Sequence, residues 1–161
     1  MGHEGGVWIN TKGSIEILLV EDDPADTRLI TELLDNLEEI NINNVNNGIK
    51  SMDYLYNRNE YKNCKTPSLI LLDLGLPMKS GFEILKEIKT DDKLKCIPVI
   101  VLTGSTDNKD INESYKDYVN ACIVKPIDLD DFKNYMLTFI DFWCNIVTLP
   151  EVTPRRTKFK F

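Results

Sequence analysis

The sequence predicts an α/β protein: a doubly wound parallel sheet with helices on both faces. Three observations carry that prediction. The run Ser68-Leu69-Ile70-Leu71-Leu72-Asp73 is continuously apolar until it stops at an aspartate. Pro67 in front and Gly75 and Pro77 behind leave it too short for a helix, so it reads as a strand buried on both faces. Comparable runs occur at Ile15–Val20 and Pro98–Thr103. Segments with helical spacing separate the runs, and five strand–helix alternations imply parallel strands joined by right-handed crossovers.

The elements follow in order. Ile15–Val20 ends at Glu21-Asp22-Asp23-Pro24, where Asp23 suits an N-cap and Pro24 a first helical turn. Leu29, Ile30, Leu33, Leu34 and Leu37 mark one face of the first helix. Ile40, Ile42 and Val45 alternate with asparagines and read as an edge strand, closed by Asn46-Asn47-Gly48. Ile49, Met52, Leu55 and Tyr56 give the second helix, and a polar loop over 57–66 leads to the Asp73 strand. The third helix starts near Gly81 with Phe82, Leu85 and Ile88 inward. After Thr103 comes a thinly apolar helix near Asn108–Tyr118, then a short strand Ala121–Val124 ending at Lys125-Pro126. A last helix runs from Leu129 towards Val147. Residues 15–147 are thus expected to form one domain, with 1–14 a flexible leader and 148–161 a tail.

Composition narrows the function. A net charge of −7 argues against a nucleic-acid or membrane-surface role for the folded body. No apolar run approaches the ~18 residues of a membrane span, and no secretory segment is evident. The four cysteines, Cys64, Cys96, Cys122 and Cys144, are far apart, with His3 the single histidine. Disulfide or zinc frameworks are not expected, and a reducing cytoplasm fits.

Four of the five strands end in functional groups: Glu21 and Asp22, then Asp73, Thr103 and Lys125. Ligands bind at the carboxyl ends of such strands. Each residue alone has a plain structural reading, as a turn or N-cap aspartate, a turn hydroxyl, or a solvated lysine. Their occurrence at successive strand ends favours a site. Carboxylates brought together repel unless a cation sits among them. An all-oxygen set suits Mg²⁺ rather than zinc. Such a site would orient a phosphoryl group against Asp73 as nucleophile, with Thr103 and Lys125 as its partners. Gly104 leaves the backbone N–H after Thr103 accessible for a phosphoryl contact.

The blocks LLVEDDP, LILLDLGLP, VIVLTGS and IVKP resemble the signatures of receiver domains of two-component response regulators (CheY-like), over about Glu16 to Pro150. The resemblance implies a flavodoxin-like five-stranded sheet of order 2-1-3-4-5. It implies Asp73 as the phosphoacceptor, loaded by a sensor histidine kinase in a Mg²⁺-dependent reaction that the domain itself catalyses. It also implies Asp22 as a direct metal ligand, Glu21 acting mainly through water, and the Gly75 backbone carbonyl as a further ligand. Thr103 and Lys125 would then hold the phosphoryl oxygens. PVIVLTGSTDNKDI, NACIVKPIDLDDF and FIDFWCNIVTLP resemble the subgroup that pairs with phytochrome-type kinases, lone receivers with an extended last helix. The stretch 148–161 is accordingly expected to carry no DNA-binding output domain.

Cys122 departs from the family, which usually has an aromatic switch residue three positions before the signature lysine. It reads as a small buried hydrophobe rather than a redox sensor. Phosphatases with a strand-end aspartate need a second aspartate two residues later, where this chain has Gly75. A partner-binding receiver that is never phosphorylated is the other rival, and the complete residue set opposes it.

Finally, Leu129, Phe132, Met136, Phe139, Ile140, Trp143 and Val147 have the spacing to cover the sheet. Tyr135, Phe142 and Ile146, with Phe139 between, form a second apolar stripe, expected to build a homodimer. The alternative cover is Val7-Trp8-Ile9 of the leader, or the tail. The basic residues Arg155, Arg156, Lys158 and Lys160 read as solvated.

Overall fold

A computed structural model describes residues 13–151. The expectations for His3, for Val7-Trp8-Ile9 and for the basic residues of the tail lie outside the described residues. Within them, five strands, β1 (Ile15–Val20), β2 (Ile40–Val45), β3 (Leu69–Asp73), β4 (Val99–Thr103) and β5 (Ala121–Val124), form one parallel sheet of order β2-β1-β3-β4-β5. Helices α1 (Pro24–Asp35), α2 (Gly48–Leu55), α3 (Gly81–Thr90), α4 (Asn108–Lys116) and α5 (Leu129–Ile140) fill the crossovers. The fold is the doubly wound one that the apolar runs predict.

Alternation along each strand divides the core in two. Ile17, Leu19, Leu69, Leu71, Ile100 and Leu102 pack with Ile30 and Leu34 of α1 and Phe132, Met136, Phe139 and Ile140 of α5. Leu18, Val20, Ile70, Leu72, Val99 and Val101 face the other way, onto Met52 and Leu55 of α2 and Ile84, Leu85 and Ile88 of α3. Strands buried on both faces must be apolar at every position, which is why they read as unbroken runs. The outer strands differ: β2 keeps Asn41, Asn43 and Asn44 at one edge, and β5 is half-buried throughout at the other.

All five helices begin at a side-chain cap. Asp23 accepts from the Ala25 and Asp26 N–H groups, and Asn47, Asp107 and Asp128 cap α2, α4 and α5. Ser80 and Glu83 form a reciprocal capping box on α3. Each such cap contributes about 1 kcal/mol. Two helix starts are also very tight. A Cβ on Gly81 would stand 2.4 Å from the Asp73 carbonyl oxygen and 2.5 Å from Leu74 Cα. One on Gly48 would stand 2.3 Å from the Lys79 carbonyl oxygen. The N-termini of α2 and α3 therefore press on the loop that follows β3.

Four helical expectations change. Leu37, expected on the inward face of α1, lies beyond its end at Asp35 and is exposed. Ile49, expected inward on α2, is 49% exposed, and Tyr54 is buried in its place. Leu129, expected to cover the sheet, is 66% exposed at the first residue of α5, before the helix settles onto the core. The last helix also does not stay α-helical to Val147. Residues Asp141–Ile146 form a π-helical stretch, closed by the Val147 N–H donating to the Phe142 carbonyl at 2.8 Å. The wider turn seats the small Cys144 against the core and leaves Trp143 half-buried at its margin.

Candidate functional site at the carboxyl edge of the sheet

Register builds the site. Val20 pairs with Leu72, so the chain leaves β1 through Glu21 level with Asp73 on β3. Asp73 pairs with Leu102 and Thr103 with Val124, which puts Lys125 one step beyond the edge of β5. Glu21, Asp22, Asp73, Thr103 and Lys125 therefore emerge along one rim, although 104 positions separate Glu21 from Lys125.

One carboxylate oxygen from each of Glu21, Asp22 and Asp73 lies within 4.8 Å of the other two. Glu21 is buried at 1% exposure, Asp22 is exposed and Asp73 intermediate. The set is graded from core to solvent, with an open side for water or a ligand. Its all-oxygen chemistry fits a hard divalent cation. Gly75 leaves that side clear: a Cβ there would meet nothing nearer than Asp73 Oδ1 at 3.8 Å. Its N–H donates to the same Oδ1 at 3.0 Å, fixing the carboxylate's rotamer.

Lys125 Nζ donates to Glu21 Oε2 at 2.6 Å, Asp26 Oδ2 at 2.9 Å and Asp73 Oδ2 at 3.4 Å. Burial works against its charge, but the hydrogen bonds to Glu21 and Asp26 outweigh it and hold the ammonium pKa above its ordinary value. Burial pushes Glu21 up, Lys125 pulls it back, and the negative charge of Asp73 adds to the rise, leaving the carboxyl at about 7. Without a further cation the rim thus carries more negative charge than it can comfortably hold.

Thr103 is buried, and its Oγ1 accepts from the Ser105 N–H at 3.0 Å. That uses a lone pair and leaves the hydroxyl proton to be donated. The Thr103 carbonyl accepts from the Lys125 N–H at 2.7 Å, tying the two strand ends together. Beyond its two chain neighbours, nothing lies within 4 Å of where a Gly104 Cβ would stand, so the space beside that backbone is open. Cys122, expected to be a small buried hydrophobe, is half-buried against the core, and burial raises its thiol pKa.

Asp26 was not singled out by the sequence reading. An acid in the first turn of a helix is accounted for by the helix dipole. Its position in a helix that starts at the rim itself is the signal that could have found it.

A parallel 2-1-3-4-5 sheet with three clustered carboxylates and a lysine on its carboxyl rim is the architecture of a receiver. The chain belongs to the response regulator receiver domain family, whose model matches residues 17–136. It is 43% identical over 137 residues to the response regulator Rcp1 of Synechocystis, covering 83% of this chain and 92% of that one. It is 34% identical to a probable methanogenesis regulatory protein, FilR2, of Methanothrix harundinacea, covering 88% and 92%. Among solved structures, the phosphorylated cyanobacterial phytochrome response regulator RcpA superposes with a TM-score of 0.84 at 43% identity, over 86% of this chain and all of that one. The Mn²⁺-bound form of Rcp1 gives 0.83 at 41% identity, over 85% and 99%. The resemblance to the phytochrome-associated subgroup therefore holds. Among the described residues no helix is long and apolar enough to cross a membrane.

Proposed function

We propose that this chain is a response regulator that accepts a phosphoryl group on Asp73 from a sensor histidine kinase, in a Mg²⁺-dependent reaction that the domain catalyses itself. The observation that carries this is the cluster of Glu21, Asp22 and Asp73 within 4.8 Å, facing the Lys125 ammonium. Asp73 is the nucleophile: one of its carboxylate oxygens bonds to phosphorus as the donor's bond to phosphorus breaks. Glu21, Asp22, Asp73 and the Gly75 carbonyl would hold Mg²⁺, which neutralises carboxylate charge and orients the incoming group. Lys125, Thr103 Oγ1 and the Gly104 N–H would then hold phosphoryl oxygens on the side away from the cation. The likeness to phytochrome response regulators supports a phytochrome-type kinase as the donor and a cytoplasmic setting.

The test is acetyl phosphate with Mg²⁺ followed by intact mass. One added phosphoryl group is expected, absent in Asp73→Asn and absent with EDTA. Undiminished labelling under EDTA, or in Asp22→Ala combined with Glu21→Ala, removes the reading.

The signal passes through Thr103 and the loop to α4. A phosphoryl group brings about −1.5 to −2 charge and three acceptors to the rim, which draws in the Thr103 hydroxyl and Lys125. Ser114 is the one residue of α4 that is fully buried, so little apolar contact opposes a shift. Hydrogen exchange with and without beryllium fluoride should change within 103–124, and changes confined elsewhere rule out this route.

The domain also pairs with a second copy through α5. Tyr135 and Phe142 are about half exposed and Ile146 is 66% exposed. Between α5 and the β5 edge runs a groove of about 560 Å³ lined by Cys122, Val124, Tyr135, Phe139, Phe142 and Trp143. Light scattering should give a dimer mass that Tyr135→Asp with Phe142→Asp abolishes. A monomer at high micromolar concentration excludes the interface.

A further inference from the structure

Lys125 has a third carboxylate partner that the phosphoacceptor chemistry does not call for. Its ammonium carries three protons, and the three acceptors lie at graded distances, 2.6 Å to Glu21, 2.9 Å to Asp26 and 3.4 Å to Asp73. The longest contact is the one to the residue that reacts. The lysine side chain is only 11% exposed, so few waters compete for those protons.

Asp26 is well placed to keep its share. It is the third residue of α1, and its own N–H is held by the Asp23 cap at 3.0 Å. The backbone that carries it is therefore fixed by the helix start, on the β1 side of the rim. Glu21 stands in the carboxylate cluster and Asp26 stands outside it. A cation filling that cluster takes up the charge of Glu21, and Asp26 remains as the carboxylate that competes with Asp73 for the ammonium.

We propose that Asp26 is a positioning residue that holds the Lys125 ammonium back from Asp73 in the unmodified protein and sets how readily Lys125 moves onto a phosphoryl group there. The inference rests on the phosphoacceptor reading of Asp73. A phosphoryl group on Asp73 offers three oxygens and about two negative charges, and its contact with Lys125 forms at the expense of the Asp26 hydrogen bond. Asp26 thus opposes the phosphorylated arrangement and favours the resting one. Removing its charge should tighten the binding of a phosphoryl mimic. A residue that merely supported the fold would weaken that binding when removed.

The experiment is calorimetric titration of the full chain with beryllium fluoride at saturating Mg²⁺. Wild type should bind and Asp73→Asn should not. Asp26→Asn and Asp26→Ala should bind roughly three- to tenfold more tightly, the range left by one charge-assisted hydrogen bond discounted for a partly exposed partner. Asp26→Glu, which restores the carboxylate, should return towards wild type. Urea unfolding of the same variants checks that all are folded under the assay conditions. Binding by Asp26→Asn and Asp26→Ala equal to or weaker than wild type overturns the positioning role and leaves the phosphoacceptor reading intact. Failure of wild type to bind, or binding by Asp73→Asn, overturns the phosphoacceptor reading and this inference with it.

Discussion

Replacing Gly81 by alanine sets two opposed effects against each other, and the structure decides the sign. Alanine is the better helix former by about 1 kcal/mol, part of it gained by restricting the unfolded chain. At Gly81 the new methyl would stand 2.4 Å from the Asp73 carbonyl oxygen, 2.5 Å from Leu74 Cα and 3.1 Å from the Asp73 carbonyl carbon, where ordinary contact begins near 3.4 Å. Relief requires a movement of about 1 Å in backbone, since no flexible side-chain end is there to give way. Overpacking of this kind costs about 1–3 kcal/mol and here displaces the strand end that carries Asp73. Two backbone contacts below 3.0 Å put the cost at the upper end of that range, so the net expectation is a loss of about 2 kcal/mol, or roughly 4–8 °C in Tm for a domain of this size. Urea unfolding should give a lower midpoint with an unchanged slope, and labelling of Asp73 should slow by more than the folded fraction accounts for. Gly104→Ala, with no neighbour within 4 Å, should stay within about 0.5 kcal/mol of wild type. A Gly81→Ala protein as stable as wild type would show that the α3–β3 junction is not tight and refute the argument.

Three further outcomes are expected. Burial holds the Glu21 carboxyl at about 7, above its ordinary value, so its contribution is fully present below about pH 4.5 and is lost as pH rises through 7. Metal-free protein should therefore lose up to about 3 kcal/mol from this group between pH 4.5 and 8, and Mg²⁺ should restore stability at the upper end, as read by thermal unfolding. Met136 is fully buried between α5 and the sheet, and Met136→Ala should cost about 2–5 kcal/mol in urea. Burial pushes Glu16 up, but hydrogen bonds from Lys65 and Asn41 bring its pKa below the ordinary value. Its contribution is present above about pH 4.5 and lost on acidification, so Glu16→Ala should cost about 1 kcal/mol at pH 7 and less at pH 3.

Much of the fold could be read from the chain because the three inner strands are buried on both faces. Unbroken apolar runs such as Leu69–Leu72 have few other uses, and the acidic or hydroxyl residue that ends each run marks the rim. The site residues were legible for the same reason, since parallel register turns successive strand ends into neighbours. The helices were harder. Ile49 and Tyr54 are five positions apart on α2, and composition alone does not say which of them turns inward. Asp26 was hidden because its partner lies 99 positions away and one acidic residue in a first turn is unremarkable. The π-helical stretch at Asp141–Ile146 left no trace either. Its residues, Asp-Phe-Trp-Cys-Asn-Ile, carry no glycine or proline, and nothing in their pattern marks Cys144 rather than Trp143 as the buried one.

That wide turn acts as slack in the length of the chain. In an α-helix each residue advances the phase by about 100°, and a π stretch takes up one extra residue within its wider turn. Deleting one residue between Asp141 and Ile146 would remove that surplus and let the α-helix run on, with everything up to Ile140 still seated on the sheet and Ile146 returned to nearly the same phase. A gain or loss of one codon here is absorbed by the width of the turn. Rewinding the same six residues as α-helix without a deletion would instead turn Ile146 by about one residue's phase, about 100°. The segment therefore tolerates a change in its length better than a change in its winding.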